Sequence, residues 1–169
     1  MIETDEIDRQ ILALLQASGR MTNREIAKKV GLSPAPCWHR MKRLEQSGLI
    51  DHYAAVLDRS LSGQNFRAMV GVSLMANSPQ ARREFEEAVQ SLDNIMECYW
   101  ISGDVEYELV VTAADLSDFE DFLQNRLLAI PGVSNANTRV ALKDIKTATA
   151  LPLDAVARKD SEDTKTGTG

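Results

Sequence analysis

Apolar residues near the start of the chain recur at the spacing of one helical face. A helix is predicted over residues 5–18, with Thr4 as its N-cap and Gly19 as its end, because one side carries Ile7, Ile11, Leu14 and Leu15. The segment after Leu49 contains Tyr53 and Val56, which predicts a strand over 49–57, as a wing or a connector.

Two further helices are predicted between these segments. Thr22 and Glu25 have the spacing of a capping box and begin a short second helix. Ser33 is expected to cap a third helix that starts at Pro34 and runs to Gly48. Two helices joined by a short turn that contains glycine are typical of a helix-turn-helix.

The second half of the chain alternates apolar strands with amphipathic helices. Strands are predicted over 68–75, 95–101, 107–113 and 133–142, and helices over 78–92 and 115–130. The fold class is therefore α+β: an N-terminal winged helix-turn-helix followed by a ferredoxin-like βαββαβ domain. The predicted boundaries are 1–50 for the helix-turn-helix, 51–64 for a connecting strand and hinge, 65–153 for the ferredoxin-like domain and 154–169 for a disordered tail.

The distribution of charge distinguishes the two halves. The net charge of the 169 residues is −6, but between residues 20 and 43 seven cations face one acid, Glu25. Such a basic segment in an acidic protein indicates a surface for a polyanion, although a solvated charged face is the commoner meaning of a charge run.

The third helix has an apolar side and a basic side. Cys37, Met41 and Leu44 are predicted to face the core, and the other side can enter the DNA major groove, where arginine reads guanine. Trp38 lies near the boundary and is somewhat more simply explained by packing. The candidate DNA-contacting residues are Thr22, Asn23, Ser33, Pro34, Ala35, Pro36, Trp38, His39, Arg40, Lys42 and Arg43.

Three segments carry a family resemblance. VGLSPAPCWHRMKRLEQSGLI, residues 30–50, resembles the helix-turn-helix signature of the Lrp/AsnC (feast/famine) transcriptional regulators. SGDVEYELVV, residues 102–111, resembles that family's Gly-x-x-Asp-Tyr element, with Glu106 in place of the usual Asp, and IPGVSNANTRVALKDIK, residues 130–146, resembles its closing strand. The resemblance implies a regulator controlled by a small effector, usually an amino acid.

The resemblance also suggests where that effector binds. Asp104 and Glu106 could meet its ammonium group, and Thr138 with backbone amides could meet its carboxylate, whereas the simpler interpretation is a solvated hairpin turn. Aromatic side chains near the loop could line a pocket. The candidate effector-binding residues are Tyr99, Ser102, Gly103, Asp104, Val105, Glu106, Tyr107 and Thr138.

One face of the predicted sheet has no helices over it. Both residue sets of the strand at 95–101 are apolar, so we expect a second copy to cover that face in a homodimer. The family resemblance implies further assembly, such as an octamer. The expected partners are thus double-stranded DNA, an amino-acid effector and the chain itself, with no membrane.

Other classes of function are less well supported. The two cysteines and two histidines are too few for a disulfide framework or most metal sites, so no metal, no cofactor besides the effector and no catalytic residue are expected. A haem-pathway decarboxylase on the same frame would want histidine or arginine in its second domain, but both histidines precede residue 61. An architectural DNA-binding protein without an effector remains an alternative. An acidic N-terminus and the absence of a long apolar run predict a cytoplasmic protein.

Overall fold

The computed structural model describes residues 3–76 and 78–153, which form two compact units. Of the described residues, the first unit contains 3–55 and 146–153, and the second unit spans Val56–Ile145. The predicted tail, 154–169, lies outside the described residues. Within the described ranges, no helix has the length and apolar character needed to cross a membrane.

The first unit is built from α1 (Glu6–Ala17), α2 (Asn23–Lys29) and α3 (Pro34–Gln46). Their apolar faces meet in one small core, which includes the fully buried Ile11, Ile26, Cys37 and Leu44. The three helices and the capping box at Thr22 are confirmed.

Two local predictions in this unit, the N-cap of α1 and the strand over 49–57, are wrong, and the predicted cap of α3 is confirmed in its position but not in its hydrogen bond. The N-cap of α1 is Asp5 rather than Thr4, because Asp5 has a carboxylate partner three residues on, Asp8, with which it forms a reciprocal capping box. Ser33 occupies the cap position of α3, but its side chain makes no capping hydrogen bond. Residues 49–57 do not form a strand, since no neighbouring segment supplies a hydrogen-bonding ladder.

The second unit is the predicted βαββαβ arrangement. Its elements are β1 (Phe66–Leu74), α4 (Pro79–Gln90), β2 (Ile95–Trp100), β3 (Tyr107–Ala113), α5 (Leu116–Phe122) and β4 (Val133–Val140). The four strands are antiparallel in the order β2-β3-β1-β4, which is the order of a ferredoxin-like sheet. Side chains of β1 and β3 pack against Phe85, Val89, Phe119 and Phe122 of the helices.

The first residue of α5 is exposed, which differs from the burial that the amphipathic pattern predicts. Leu116 lies on the apolar side of the amphipathic helix predicted over 115–130, but it is 62% exposed. A π-helical turn over Leu123–Leu127 follows α5 and adds a residue to the helical repeat. Phe119 and Phe122 of α5 are buried together with Leu127 of the π-helical turn.

The face of the sheet opposite the helices is more polar than expected. A bulge between Ile95 and Glu97 interrupts the alternation of β2, so Cys98 and Trp100 share the helix-covered face while Tyr99 lies opposite Glu108 on the open face. The open face combines partly buried apolar residues with polar ones, among them Met69, Val110, Glu108, Asn137 and Arg139. The prediction of an apolar open face is wrong.

The chain returns to the first unit after β4. The Gln16 side chain donates to the Leu151 carbonyl at 3.1 Å and accepts from the Leu151 amide at 2.6 Å. Leu153 packs against the helical core. Residues 146–153 thus contact the helix-turn-helix unit.

Candidate nucleic-acid interface and effector site

The start of α2 is fixed by hydrogen bonds within the capping box. The Glu25 carboxylate accepts from the Thr22 amide at 2.7 Å, and the Glu25 amide donates to the Thr22 hydroxyl at 3.3 Å. A hydrogen bond from the Thr22 hydroxyl lowers the pKa of Glu25. The first turn of α2 is therefore held in place and carries exposed polar groups.

Asn23 joins the two helices of the helix-turn-helix. Its side-chain amide donates to the Pro34 carbonyl at 2.9 Å, which ties the beginning of α2 to the beginning of α3. The Oδ1 atom of Asn23 is buried and accepts no hydrogen bond within the described part of the chain. The predicted DNA contact of Asn23 is thus accompanied by a structural role.

The outward side of α3 begins with small and aromatic groups. Ser33, Pro34, Ala35 and Pro36 are exposed, and Trp38 is 47% exposed, so packing explains only part of its surface. Trp38 and His39 make an edge contact with ring centroids 5.0 Å apart. These residues share a continuous exposed surface at the N-terminal end of α3.

The predicted arginines of α3 are engaged with acids of α1. Arg40 Nη1 donates to Asp5 at 2.6 Å and to Asp8 at 2.9 Å, and Arg43 donates to the other oxygen of Asp8. Lys42 is paired with Glu45 at 2.7 Å. The cations of α3 therefore have intramolecular partners, which the sequence did not indicate.

Unpaired cations lie on and before α2 instead. Arg20, Arg24, Lys28 and Lys29 are exposed, and within the described residues their side chains make no ion pair. Exposed cations without carboxylate partners are suited to contact phosphates, since no ion pair has to be broken first.

The second candidate site is the loop between β2 and β3, residues 101–106. Its ends are held by a hydrogen bond from the Ile101 amide to the Glu106 carbonyl at 2.9 Å. Gly103 has φ of 153°, and a Cβ there would meet nothing within 4 Å. Ser102 and Asp104 are exposed. The loop thus presents its backbone at Gly103, together with Ser102 and Asp104, to open space.

Glu106 is oriented toward the end of β1. Its amide donates to the Val72 carbonyl at 3.1 Å, and its carboxylate accepts from the Leu74 amide at 3.3 Å. One carboxylate oxygen is thereby fixed, and the side chain is only partly buried. Glu106 is therefore held at the loop and is not turned freely toward solvent.

Val105 shows why Gly71 is needed in β1. A Cβ on Gly71 would lie 3.2 Å and 3.4 Å from the two methyl groups of Val105. A Cβ at position 71 would therefore require the Val105 side chain to shift by a few tenths of an ångström. The glycine inside a predicted strand was the sequence signal for this close approach.

The remaining candidate effector residues, Tyr99, Tyr107 and Thr138, lie on strands of the sheet. Tyr99 is on the open face and donates to Glu97 at 2.5 Å. Tyr107 is buried on the helix-covered face, where it donates to Glu86 of α4 at 2.7 Å. Burial and the Glu86 carboxylate raise the pKa of Tyr107.

Thr138 does not lie on an edge that neighbours the loop. It pairs with Val70 in the middle of β1, on the side of β1 away from β3, and its hydroxyl is buried without a hydrogen bond in the described structure. The loop residues 102–106 form one cluster, and the structure does not bring Tyr107 or Thr138 into it within a single copy.

Two interactions were missed by the sequence analysis. Asp8 is fully buried and binds both arginines of α3. Asp144, just after β4, pairs with Arg59 at 3.4 Å and with Arg67 at 3.7 Å. Local sequence carries no signal for either, because the partners are far apart along the chain.

The cysteines have no partners for metal or disulfide chemistry among the residues described. Cys37 is buried in the helical core, where burial raises the pKa of its thiol, and Cys98 is also free. The described residues contain no group of three or more His, Cys, Asp or Glu side chains that could hold a metal ion.

The capping box predicts acid sensitivity of the helix-turn-helix unit. Because the pKa of Glu25 is lower in the folded chain, the ionised carboxylate stabilises the folded state above its unfolded pKa, and this contribution is lost as the pH falls through the folded pKa. Urea unfolding followed by Trp38 fluorescence is expected to show stability decreasing below about pH 4.5. Glu25→Gln should show a shallower decrease than Glu120→Gln, and equal pH profiles would contradict this role.

Comparisons with known proteins match both halves of the chain. Residues 4–51 match a family described as winged helix-turn-helix DNA-binding, and residues 67–151 match the Lrp/AsnC ligand binding domain. The leucine-responsive regulatory protein of Haemophilus influenzae is 39% identical over 88% of this chain and 90% of its own. That of Escherichia coli K12 is 38% identical over 88% and 91%.

Solved structures are similar over nearly the whole fold. A transcriptional regulator from Neisseria meningitidis, in complex with L-Met, has a TM-score of 0.87 at 34% identity and covers 91% of this chain and 99% of its own. An AsnC family transcriptional regulator from Agrobacterium tumefaciens has a TM-score of 0.86 at 33% identity, with coverages of 90% and 99%.

Proposed function

Because the chain belongs to the Lrp/AsnC family of transcriptional regulators, we propose that an amino acid bound at the loop 101–106 controls how α2 and α3 bind duplex DNA. The chain is a DNA-binding transcriptional regulator with a ligand-binding domain.

The proposed DNA surface combines phosphate contacts with base contacts. Arg20, Arg24, Lys28 and Lys29 are assigned to phosphates, since they are exposed and unpaired within the described residues. The exposed start of α3 is assigned to base edges, where Trp38 and the methyl of Ala35 suit thymine methyl groups. The remaining contacts are assigned to Thr22, Asn23, Ser33, Pro34, Pro36, His39 and Lys42.

The proposed effector site rests on the position of Glu106. Its carboxylate is held at the loop by the Leu74 amide and leaves one oxygen available for an ammonium group. Exposed Asp104 adds a second negative charge, and the Ser102 hydroxyl with the backbone around Gly103 can donate to a carboxylate. The L-Met complex of the Neisseria meningitidis relative supports an amino acid as the effector.

We also propose that the chain acts as a homodimer or a higher oligomer such as an octamer. The open face supports this through its partly buried Met69 and Val110 and its exposed Tyr99, around the ion pair of Glu108 with Arg139. A sheet face with this mixture can pack on a second copy, with the ion pair providing orientation. Light scattering of the full-length chain tests this, and a monomer at micromolar concentration would contradict it.

The family evidence indicates a regulator, and we propose that the chain has no catalytic activity and acts in the cytoplasm, where DNA and free amino acids are both available. No resident cofactor or metal is part of the proposal. The effector alone is expected to bind the second unit.

The DNA-binding function predicts a steep dependence of affinity on salt. The logarithm of the binding constant for a DNA duplex should fall linearly with the logarithm of salt concentration, and Arg24→Gln should reduce the slope by about 1. Arg126→Gln removes the same charge from the second unit and serves as the matched control. Fluorescence anisotropy measures the salt dependence of DNA binding for both variants. Equal slopes for the two variants would show that Arg24 does not contact DNA.

A further inference from the structure

Asp8 is the one aspartate that is fully buried among the described residues, and it joins α1 to α3. One oxygen accepts from Arg40 at 2.9 Å, and the other accepts from Arg43 and from the Asp5 amide, the latter at 3.1 Å. Asp5 contributes a second carboxylate to Arg40 at 2.6 Å. Two acids of one helix therefore hold two cations of another.

The burial of Asp8 makes this pairing obligatory. A carboxylate removed from water is strongly destabilising unless charged partners and hydrogen bonds compensate it. The Asp8 amide donates to Asp5 at 2.8 Å, so both carboxylates are also fixed to the first turn of α1, where the helix dipole favours negative charge. Hydrogen bonding within this group lowers the pKa of Asp5 and raises that of Arg40.

The pairing limits what Arg40 can do at DNA. Recognition of guanine requires the two donors of a guanidinium to point together into the groove. The Nη1 donor of Arg40 is instead directed at Asp5 and Asp8, and its side chain is only 30% exposed. Arg43 is 53% exposed and keeps other donors in solvent, which suits a phosphate contact better than a base contact.

We propose that Asp8 is a positioning residue for DNA recognition, which sets the orientation of α3 through Arg40 and Arg43 and withholds Arg40 from base reading. Sequence preference then comes from the first turns of α3, and the clamp of Asp5, Asp8, Arg40 and Arg43 determines how those turns are presented. Beyond the proposed function, an α1 residue with no assigned DNA contact thereby acquires a role in sequence specificity.

The clamp can be tested by selecting bound sequences from a library of randomised DNA duplexes. Full-length Asp8→Asn keeps the shape of the side chain but releases two arginines. It should bind unselected duplexes more tightly than wild type does. The ratio of its affinity for the selected sequence to its affinity for unselected DNA should fall about tenfold, which is the effect of one mismatched base pair. Its selected motif should weaken at every position.

Glu6→Gln is the matched control, because Glu6 lies on α1, is exposed and pairs with Arg9 rather than with α3. It removes the same charge and should keep the wild-type motif and affinity ratio. A residue with a role only in folding would lower both affinities together when replaced. An Asp8→Asn protein with the wild-type motif and ratio would overturn the proposal.

The variant Arg40→Met provides a second test of the proposal, which does not depend on whether Asp8→Asn folds stably. If Arg40 acts through the clamp, its loss weakens the whole motif, and combining it with Asp8→Asn costs little more than either change alone. If Arg40 reads a base, Arg40→Met removes the preference at one position, and this outcome would overturn the proposal. A wild-type chain that selects no motif would contradict the proposed function as well.

Discussion

Glu106→Gln is expected to abolish the thermal stabilisation of the chain by its amino-acid effector while ligand-free DNA binding stays nearly intact. The change keeps an oxygen that can accept from the Leu74 amide, so the loop should retain its shape. It removes the negative charge that we assign to the ammonium group. The loop lies in the second unit, and the proposed DNA surface lies in the first.

The expected effect is large because a specific ligand stabilises the folded state by mass action. At 100 times its Kd, an effector contributes about 2.7 kcal/mol, which corresponds to a rise in Tm of roughly 10–20 °C for a unit of this size. A screen of wild type against the amino acids identifies the effector. Glu106→Gln should then show no shift, and Glu120→Gln, which removes an exposed charge from α5, should show the full shift.

Calorimetry decides the role of Glu106 directly. Equal affinities of wild type and Glu106→Gln for the stabilising amino acid would show that Glu106 does not contact it. An absence of any stabilising amino acid would favour the architectural DNA-binding protein that responds to no effector.

Phe85→Ala is expected to destabilise the second unit by about 3–5 kcal/mol. Phe85 is fully buried between α4 and the sheet, and its ring centroid lies 4.6 Å from that of Tyr107. Removing the ring leaves a cavity next to Tyr107, whose hydroxyl donates a hydrogen bond to Glu86. Glu87→Ala, on the exposed side of the same helix, should change stability by less than about 0.5 kcal/mol.

The two tryptophans allow each unit to be followed separately. Trp38 belongs to the helix-turn-helix unit, and Trp100 belongs to the second unit, where it packs beside Arg82. In a Trp38→Phe background, Phe85→Ala should shift the denaturant midpoint reported by Trp100. In a Trp100→Phe background, the midpoint reported by Trp38 should stay in place. A common shift of both midpoints would contradict the division into two units.

Local signals in the sequence were sufficient for the order of elements. Thr22 with Glu25, and Pro34 at the first position of α3, are short-range features whose hydrogen bonds or ring geometry act within one turn. The choice between Thr4 and Asp5 as N-cap required one further local test, the presence of a carboxylate three residues later. The residue three positions after Asp5 is Asp8, which has a carboxylate, whereas the residue three positions after Thr4 is Ile7.

The remaining errors depend on contacts across the fold. The bulge in β2 and the π-helical turn after α5 each shift the side-chain repeat, and their positions depend on packing that no local pattern encodes. The pairing of Asp8 with Arg40 links residues that are 32 positions apart. An exposed basic helix and a basic helix clamped to an acid have the same hydrophobic period, so only the structure separates them.

Binding of the full-length chain to its selected DNA duplex, with and without the stabilising amino acid, tests the coupling between the two sites most directly. A coupling free energy of about 1–3 kcal/mol would change the Kd about 5- to 150-fold, and saturating DNA must change the affinity for the amino acid by the same factor. Glu106→Gln should show the ligand-free Kd under both conditions. An identical Kd for wild type with and without the amino acid, at a concentration that saturates its site, would contradict effector control of DNA binding.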